Sequence, residues 1–134
     1  MEYIPIIIIC FNNYKYVDNT IRQIIEVNPE YKQLIIILNN NSDDENTKRY
    51  LFENKRDVII INNSINDGPW INQGTNSHVY EMVPDKYIVT DPDLDFNSNL
   101  PKNFVEILSQ LSDEFECNKI EIGRAHVWTP VTWN

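Results

Sequence analysis

Three short runs of residues, apolar at almost every position, constrain this chain more than anything else in it. They are Ile4 to Cys10 (broken by Pro5), Leu34 to Leu38, and Val58 to Ile61. A strand with one face in water alternates apolar and polar residues. A β-branched run with no alternation belongs to a strand covered on both faces, as in a parallel sheet. Tyr87-Ile88-Val89-Thr90 reads as a weaker fourth strand, and a fifth is expected to begin at Lys119-Ile120.

Helical periodicity fills the intervals. Val17, Ile21, Ile24 and Ile25 share one face of a helix that must stop at Asn28-Pro29, because the residue before a proline is disfavoured in helical geometry. Ser42-Asp43-Asp44-Glu45 has the form of a capping box, with the Ser42 hydroxyl and Glu45 satisfying each other's orphan donors ahead of a short helix through Tyr50 and Leu51. Gly68-Pro69 suits a third helix start. Phe104, Leu108, Leu111 and Phe115 stripe a fourth helix after Pro101. Strand alternating with helix predicts an α/β, Rossmann-like, mostly parallel sheet with helices on both faces and right-handed crossovers. The 134 residues suffice for one compact domain.

The segment after residue 123 departs from the Ile-, Asn- and Asp-rich body. Arg124 to Asn134 resembles translated adaptor DNA, reads as a non-native tail, and is set aside with His126, Trp128 and Trp133. The domain proper is residues 1–123. The formal charge of −9 disfavours nucleic acid and anionic membranes, yet admits an anionic nucleotide if a divalent cation lies between. Cys10 and Cys117 lack metal-ligand spacing and read as reduced thiols. The opening Met1-Glu2-Tyr3 lacks the basic start of a signal peptide, and Ile4 to Cys10 is too short to span a bilayer. A cytoplasmic location is the expectation.

Parallel strands bring their carboxyl ends to one edge, where such sheets bind ligands. The residues that follow the strands are Phe11-Asn12-Asn13, Asn39-Asn40-Asn41-Ser42-Asp43, Asn62-Asn63 with Asn66-Asp67-Gly68, and Asp91-Pro92-Asp93-Leu94-Asp95. Asn and Asp are favoured in turns for local reasons, so each cluster alone says little. Asp91 and Asp93 stand out. Two carboxylates around a stiff proline repel unless a cation, proton or donor intervenes, and hard oxygen ligands in an open site suit Mg²⁺ or Mn²⁺.

In order and approximate spacing, these residues resemble family 2 and related glycosyltransferases of the GT-A fold. Ile6 to Asn12 looks like the family's opening strand and turn. Ile37-Leu38-Asn39-Asn40-Asn41-Ser42-Asp43 is similar to its second-strand motif, Asn63 through Asn66 to Gly68 and then Asn76 to its segment before the third helix, and Thr90-Asp91-Pro92-Asp93 to its Asp-x-Asp motif. The resemblance covers roughly residues 4 to 122.

It implies a nucleotide-sugar site made by Cys10, Phe11, Asn12, Asn39, Asn63, Gly68 and Asp91, with Asp91 and Asp93 holding a divalent cation, Mn²⁺ or Mg²⁺. It implies transfer of a sugar from a nucleoside-diphosphate sugar, a UDP-sugar in the first place, to an acceptor hydroxyl. Asn39 stands where the family commonly has an Asp against the base, and Phe11 where it commonly has Tyr. The family's catalytic base lies downstream of any residue here, so no catalytic residue is assigned. The chain by itself is expected to bind the donor weakly or not at all and to turn nothing over.

Other polar residues have blander expectations. Asp95 reads as a solvated turn residue, His78 as a helix-surface or packing residue, Trp70 as a helix anchor, and Lys15 and Arg22 as an exposed helix face. Two rivals stand beside the glycosyltransferase reading. A nucleotidyltransferase would carry a Gly-rich basic loop after the first strand, where Phe11-Asn12-Asn13-Tyr14 has no glycine. A non-enzymatic nucleotide-binding module would keep the fold without the chemistry.

Overall fold

The computed structural model describes residues 3–66, 81–93, 95–96, 99–114 and 121–122. The expected third helix from Gly68-Pro69, with Trp70 and His78, lies outside them, as do Phe115, Cys117, Lys119, Ile120 and the tail. Strand β1 is Ile6–Cys10, β2 Ile35–Asn39, β3 Ile59–Asn62, β4 Ile88–Thr90 and β5 Glu121–Ile122. They form one five-stranded sheet in the order β3-β2-β1-β4-β5. Every pairing is parallel. The chain winds outward from β1 to β2 and β3, then returns to β1's other side for β4, so the direction of winding reverses between β1 and β4.

Helix α1 (Tyr14–Val27) buries Val17, Ile21 and Ile24 of the expected stripe together with Thr20, while Ile25 is only partly buried against the core, and it ends where Asn28-Pro29 forces it to. Burying each Ile stabilises by about 1.5–3 kcal/mol. A 3₁₀ turn, Pro29–Leu34, follows directly, begun by Asn28 Oδ1 accepting from the Glu30 N–H. It buries Tyr31, whose ring meets Phe104 edge-on at 5.2 Å and whose hydroxyl donates to Glu106. Burial first, then the Glu106 carboxylate, pushes the Tyr31 phenol up to about 12. Helix α3 (Phe104–Glu114) is thereby pinned to the end of α1, with Asn28 Nδ2 also donating to the Lys102 carbonyl at 3.0 Å.

Helix α2 (Glu45–Glu53) starts differently from the capping-box expectation. Asp44 is the cap, its carboxylate accepting from the Thr47 N–H at 2.9 Å and the Thr47 hydroxyl at 2.8 Å. Those bonds hold the Asp44 carboxyl below its ordinary range. Ser42 is drawn off to another task, described below. Asn54, at φ 42°, ends the helix and exchanges two hydrogen bonds with the Val58 backbone ahead of β3.

Ile6, Ile8, Cys10, Ile35, Ile37 and Ile88 form the main core with α1, the 3₁₀ turn, Leu51 of α2, and Phe104, Val105 and Leu108 of α3. All the described helices of eight or more residues therefore pack on one face of the sheet. Ile7, Ile36 and Leu38 form a smaller cluster on the other face, with Val83, Tyr87 and Val89 against it. β3 departs from the expectation of a strand buried on both sides: Ile59 is 52 % exposed. The reason is topological, since β3 ends the row of strands and an unbroken apolar run does not say whether its strand is central or last. Among the described residues no helix is long and apolar enough to cross a membrane.

Candidate functional site at the carboxyl edge of the sheet

Register fixes what meets at this edge. Cys10 is level with Asn39, and Asn39 with Asn62. Thr90 is level with Ile8, so the turn after β4 begins beside the last residues of β1. Asn12, Asn39 and the Asp91–Asp93 turn thus share one end of the sheet, at the switch between β1 and β4 where open α/β sheets bind ligands.

The asparagines there hold the edge together. Asn12 takes up a left-handed conformation, φ 55°, which costs a β-carbon residue energy that Asn recovers through its amide. Its Oδ1 accepts from the N–H groups of Asp43 at 2.8 Å and Asp44 at 2.9 Å, and its Nδ2 donates to Asp43 Oδ1 at 2.6 Å. Its own N–H donates to Ser42 Oγ at 3.1 Å. This is why Ser42, which is buried, does not cap α2: its hydroxyl ties the end of β1 to the loop after β2. Asn39 Oδ1 accepts from the Ser42 N–H at 3.0 Å, and Asn39 Nδ2 donates to Asn62 Oδ1 at 2.9 Å. One layer inside, Asn63 Nδ2 donates to Asn40 Oδ1 at 2.9 Å, and the Asn40 N–H prolongs the ladder to the Cys10 carbonyl at 2.8 Å.

The remaining expected residues divide by exposure. The Cys10 side chain is fully buried, with Sγ 3.9 Å from Ser42 Oγ; burial pushes its thiol up, so it stays protonated and offers a ligand no surface. Phe11 is 39 % exposed at the tip of β1, a ring face open to stacking. Asn63 is buried and serves the amide layer. Gly68 lies outside the described residues. Asp91 and Asp93 are both exposed, flanking Pro92. The turn is anchored through its backbone: the fully buried Thr20 of α1 donates from Oγ1 to the Pro92 carbonyl at 2.5 Å. Three residues on, Gln23 Oε1 accepts from the Phe96 N–H at 2.7 Å. The sequence places Ser42 and Asn62 at this edge without giving either a site role, and Thr20 was missed altogether. Asn62 was within reach, since it ends a strand in register with Asn39, whereas Thr20 sits in an apolar helical stripe that signals only packing.

Two exposed carboxylates on a braced turn fit a partly hydrated divalent cation. Among the described residues no group of three or more His, Cys, Asp or Glu gathers to enclose a metal, so protein oxygens would fill few positions and phosphate and water the rest. The edge is an open shelf. A cleft of about 180 Å³, lined by Tyr14, Asn46, Arg49, Tyr50, Glu53 and Lys55, lies on the helical side and includes none of the expected residues. A cavity of about 20 Å³ lies at the amino ends of β1 and β4, beside Ile4 and Lys86. Directional bonds and charge, more than enclosure, hold a diphosphate, so the shelf remains the candidate site.

The fold and this edge define an α/β protein with a Rossmann-like parallel sheet and its polar residues collected at the switch point. Comparison with family models, curated proteins and solved structures gave no match.

Proposed function

We propose that this edge binds a nucleoside-diphosphate sugar, as the donor half of a GT-A glycosyltransferase. Asp91 and Asp93 would hold a Mn²⁺ or Mg²⁺ ion against the diphosphate, and Phe11 would stack on the nucleoside. The observation that carries the reading is the meeting of Asn12, Asn39 and the Asp91–Asp93 turn at one end of an all-parallel sheet, at the reversal between β1 and β4.

When bound, the cation would act as a Lewis acid, offsetting the charge that grows on the departing diphosphate. The chain's own residues position. Thr20 braces the turn that displays both carboxylates, and Asn12 and Ser42 fix the loop beside which the nucleoside would lie. No described residue is given the task of deprotonating the acceptor hydroxyl.

NMR titration with millimolar nucleoside diphosphate tests this. Shifts at Phe11–Asn13 and Asp91–Asp93 that require Mg²⁺ and vanish in Asp93→Ala are the expected result. Binding by this chain is expected to be weak, hence the millimolar titration; shifts that ignore the metal, or no shift up to the solubility limit of the nucleotide, would remove the reading. A nucleotidyltransferase is disfavoured by the absence of glycine from Phe11-Asn12-Asn13-Tyr14, since triphosphate cradles depend on close backbone approach.

A further inference from the structure

The amides at the ends of β2 and β3 carry more information than their type. A backbone N–H can only donate, so the Ser42 N–H 3.0 Å from the Asn39 amide must face its oxygen. That turns Asn39 Nδ2 toward Asn62, where it donates to Asn62 Oδ1 at 2.9 Å. Asn62 is in turn oriented, oxygen toward Asn39 and NH₂ away from it. Asn62 is exposed and, among the described residues, its NH₂ has no hydrogen-bond partner, while one N–H of Asn39 is not spent on Asn62. One backbone donor thus fixes a chain of two amides with a donor group at its free end.

We propose that this amide pair selects a nucleobase by an edge of two neighbouring acceptors, a ring nitrogen and a carbonyl oxygen, as in cytosine N3 and O2 or guanine N7 and O6, over uracil. The inference rests on the nucleotide reading above. The distances suit it: β2 lies two strand spacings from β4, roughly 10 Å, and β3, which ends in Asn62, three, roughly 14 Å, a gap that an extended nucleotide whose diphosphate sits at Asp91 and Asp93 spans together with the Asn62 side chain. Phe11, at the end of β1 between them, supplies the stacking face. Uracil differs from cytosine in carrying a proton on N3. Against the Asn62 NH₂ that proton meets another donor, and an unmade bond at a recognition site costs discrimination. A carboxylate at 39 would accept the uracil proton but could not donate to Asn62 Oδ1, so the network as built calls for an amide.

The test is a comparison of CDP, GDP, UDP and ADP binding to the whole chain, with Mn²⁺ for calorimetry or Mg²⁺ for NMR. CDP or GDP is expected to bind about tenfold more tightly than UDP, and which of the two leads identifies the base. Asn62→Asp is the decisive variant. Its carboxylate still accepts from Asn39 Nδ2, the position is exposed so folding is not at stake, and the outward donor becomes an acceptor. The ratio of CDP (or GDP) to UDP affinity should fall about tenfold, whatever the added charge does to both. UDP binding as tightly as CDP and GDP, or a ratio unmoved by Asn62→Asp, overturns the inference and leaves the nucleotide reading standing. Binding of none of the four removes that reading and the inference with it.

Discussion

The two halves of the sheet's carboxyl edge treat their polar residues in opposite ways. At the ends of β1, β2 and β3 the amides of Asn12, Asn39, Asn40 and Asn63 are engaged with backbone or with one another. At the end of β4, Asp91 and Asp93 are exposed, and the turn between them is held by its Pro92 carbonyl. One half is knitted by its side chains; in the other the turn is braced through the Pro92 carbonyl and both aspartates are exposed. Clusters of Asn and Asp that look alike in sequence therefore have different duties, and substitution should separate them.

The largest stability loss is expected from Asn12→Ala. It deletes the amide's bonds to Asp43 and Asp44 and leaves a β-carbon at positive φ, for a destabilisation of about 2–3 kcal/mol in chemical denaturation. Asn12→Gly keeps the backbone conformation and should recover part of that. A loss below 0.5 kcal/mol for the alanine variant would erase the contrast.

Thr20→Val should cost about 1–2 kcal/mol, because the Pro92 carbonyl loses its donor, and should weaken the proposed nucleotide binding as the turn loosens. Unchanged binding would show that the brace is structural only.

Asp18, away from the edge, is a control for ordinary surface electrostatics. Hydrogen bonds from Arg56 outweigh burial and, with Tyr50, hold its carboxyl below the ordinary range. A depressed folded-state pKa means the pair stabilises above the unfolded value, about 3.9, and that this is lost as pH falls through the folded one. The pair is about a third exposed, so Asp18→Asn should cost only about 0.2–1 kcal/mol at neutral pH and flatten the acid-unfolding profile below pH ~4. A loss independent of pH would point to packing instead.

Asp93→Ala should barely change stability, within about 0.5 kcal/mol, while abolishing the proposed metal-dependent binding. A destabilisation approaching that of Asn12→Ala would place Asp93 among the builders.

Much of this was legible in the sequence. Runs such as Ile6 to Ile9 and Ile35 to Leu38 read as strands covered on both faces, as β1 and β2 are, and helical stripes between them point to a parallel sheet, which brings the loops after the strands to one edge. Local chemistry was less legible. Ser42-Asp43-Asp44-Glu45 satisfies the capping-box pattern, but the structure gives the cap to Asp44 and lends Ser42 to Asn12, a residue 30 positions earlier. The exposure of β3 depends on strand order, which no single run encodes. The direction of the Asn39 amide depends on one backbone N–H, a detail below the resolution of any motif.

The place a divalent cation takes on the chain decides most directly whether the Asp91–Asp93 turn is a binding site. Trace Mn²⁺ added to the isotopically labelled chain with nucleoside diphosphate broadens NMR signals near the ion. Broadening centred on Asp91 and Asp93 and reaching Phe11–Asn13, with Ile4, Lys86 and Tyr87 at the opposite edge left sharp, is the predicted result. Broadening centred on the Tyr14–Arg49 cleft or on the amino edge, with the Asp91–Asp93 turn unaffected, would contradict it.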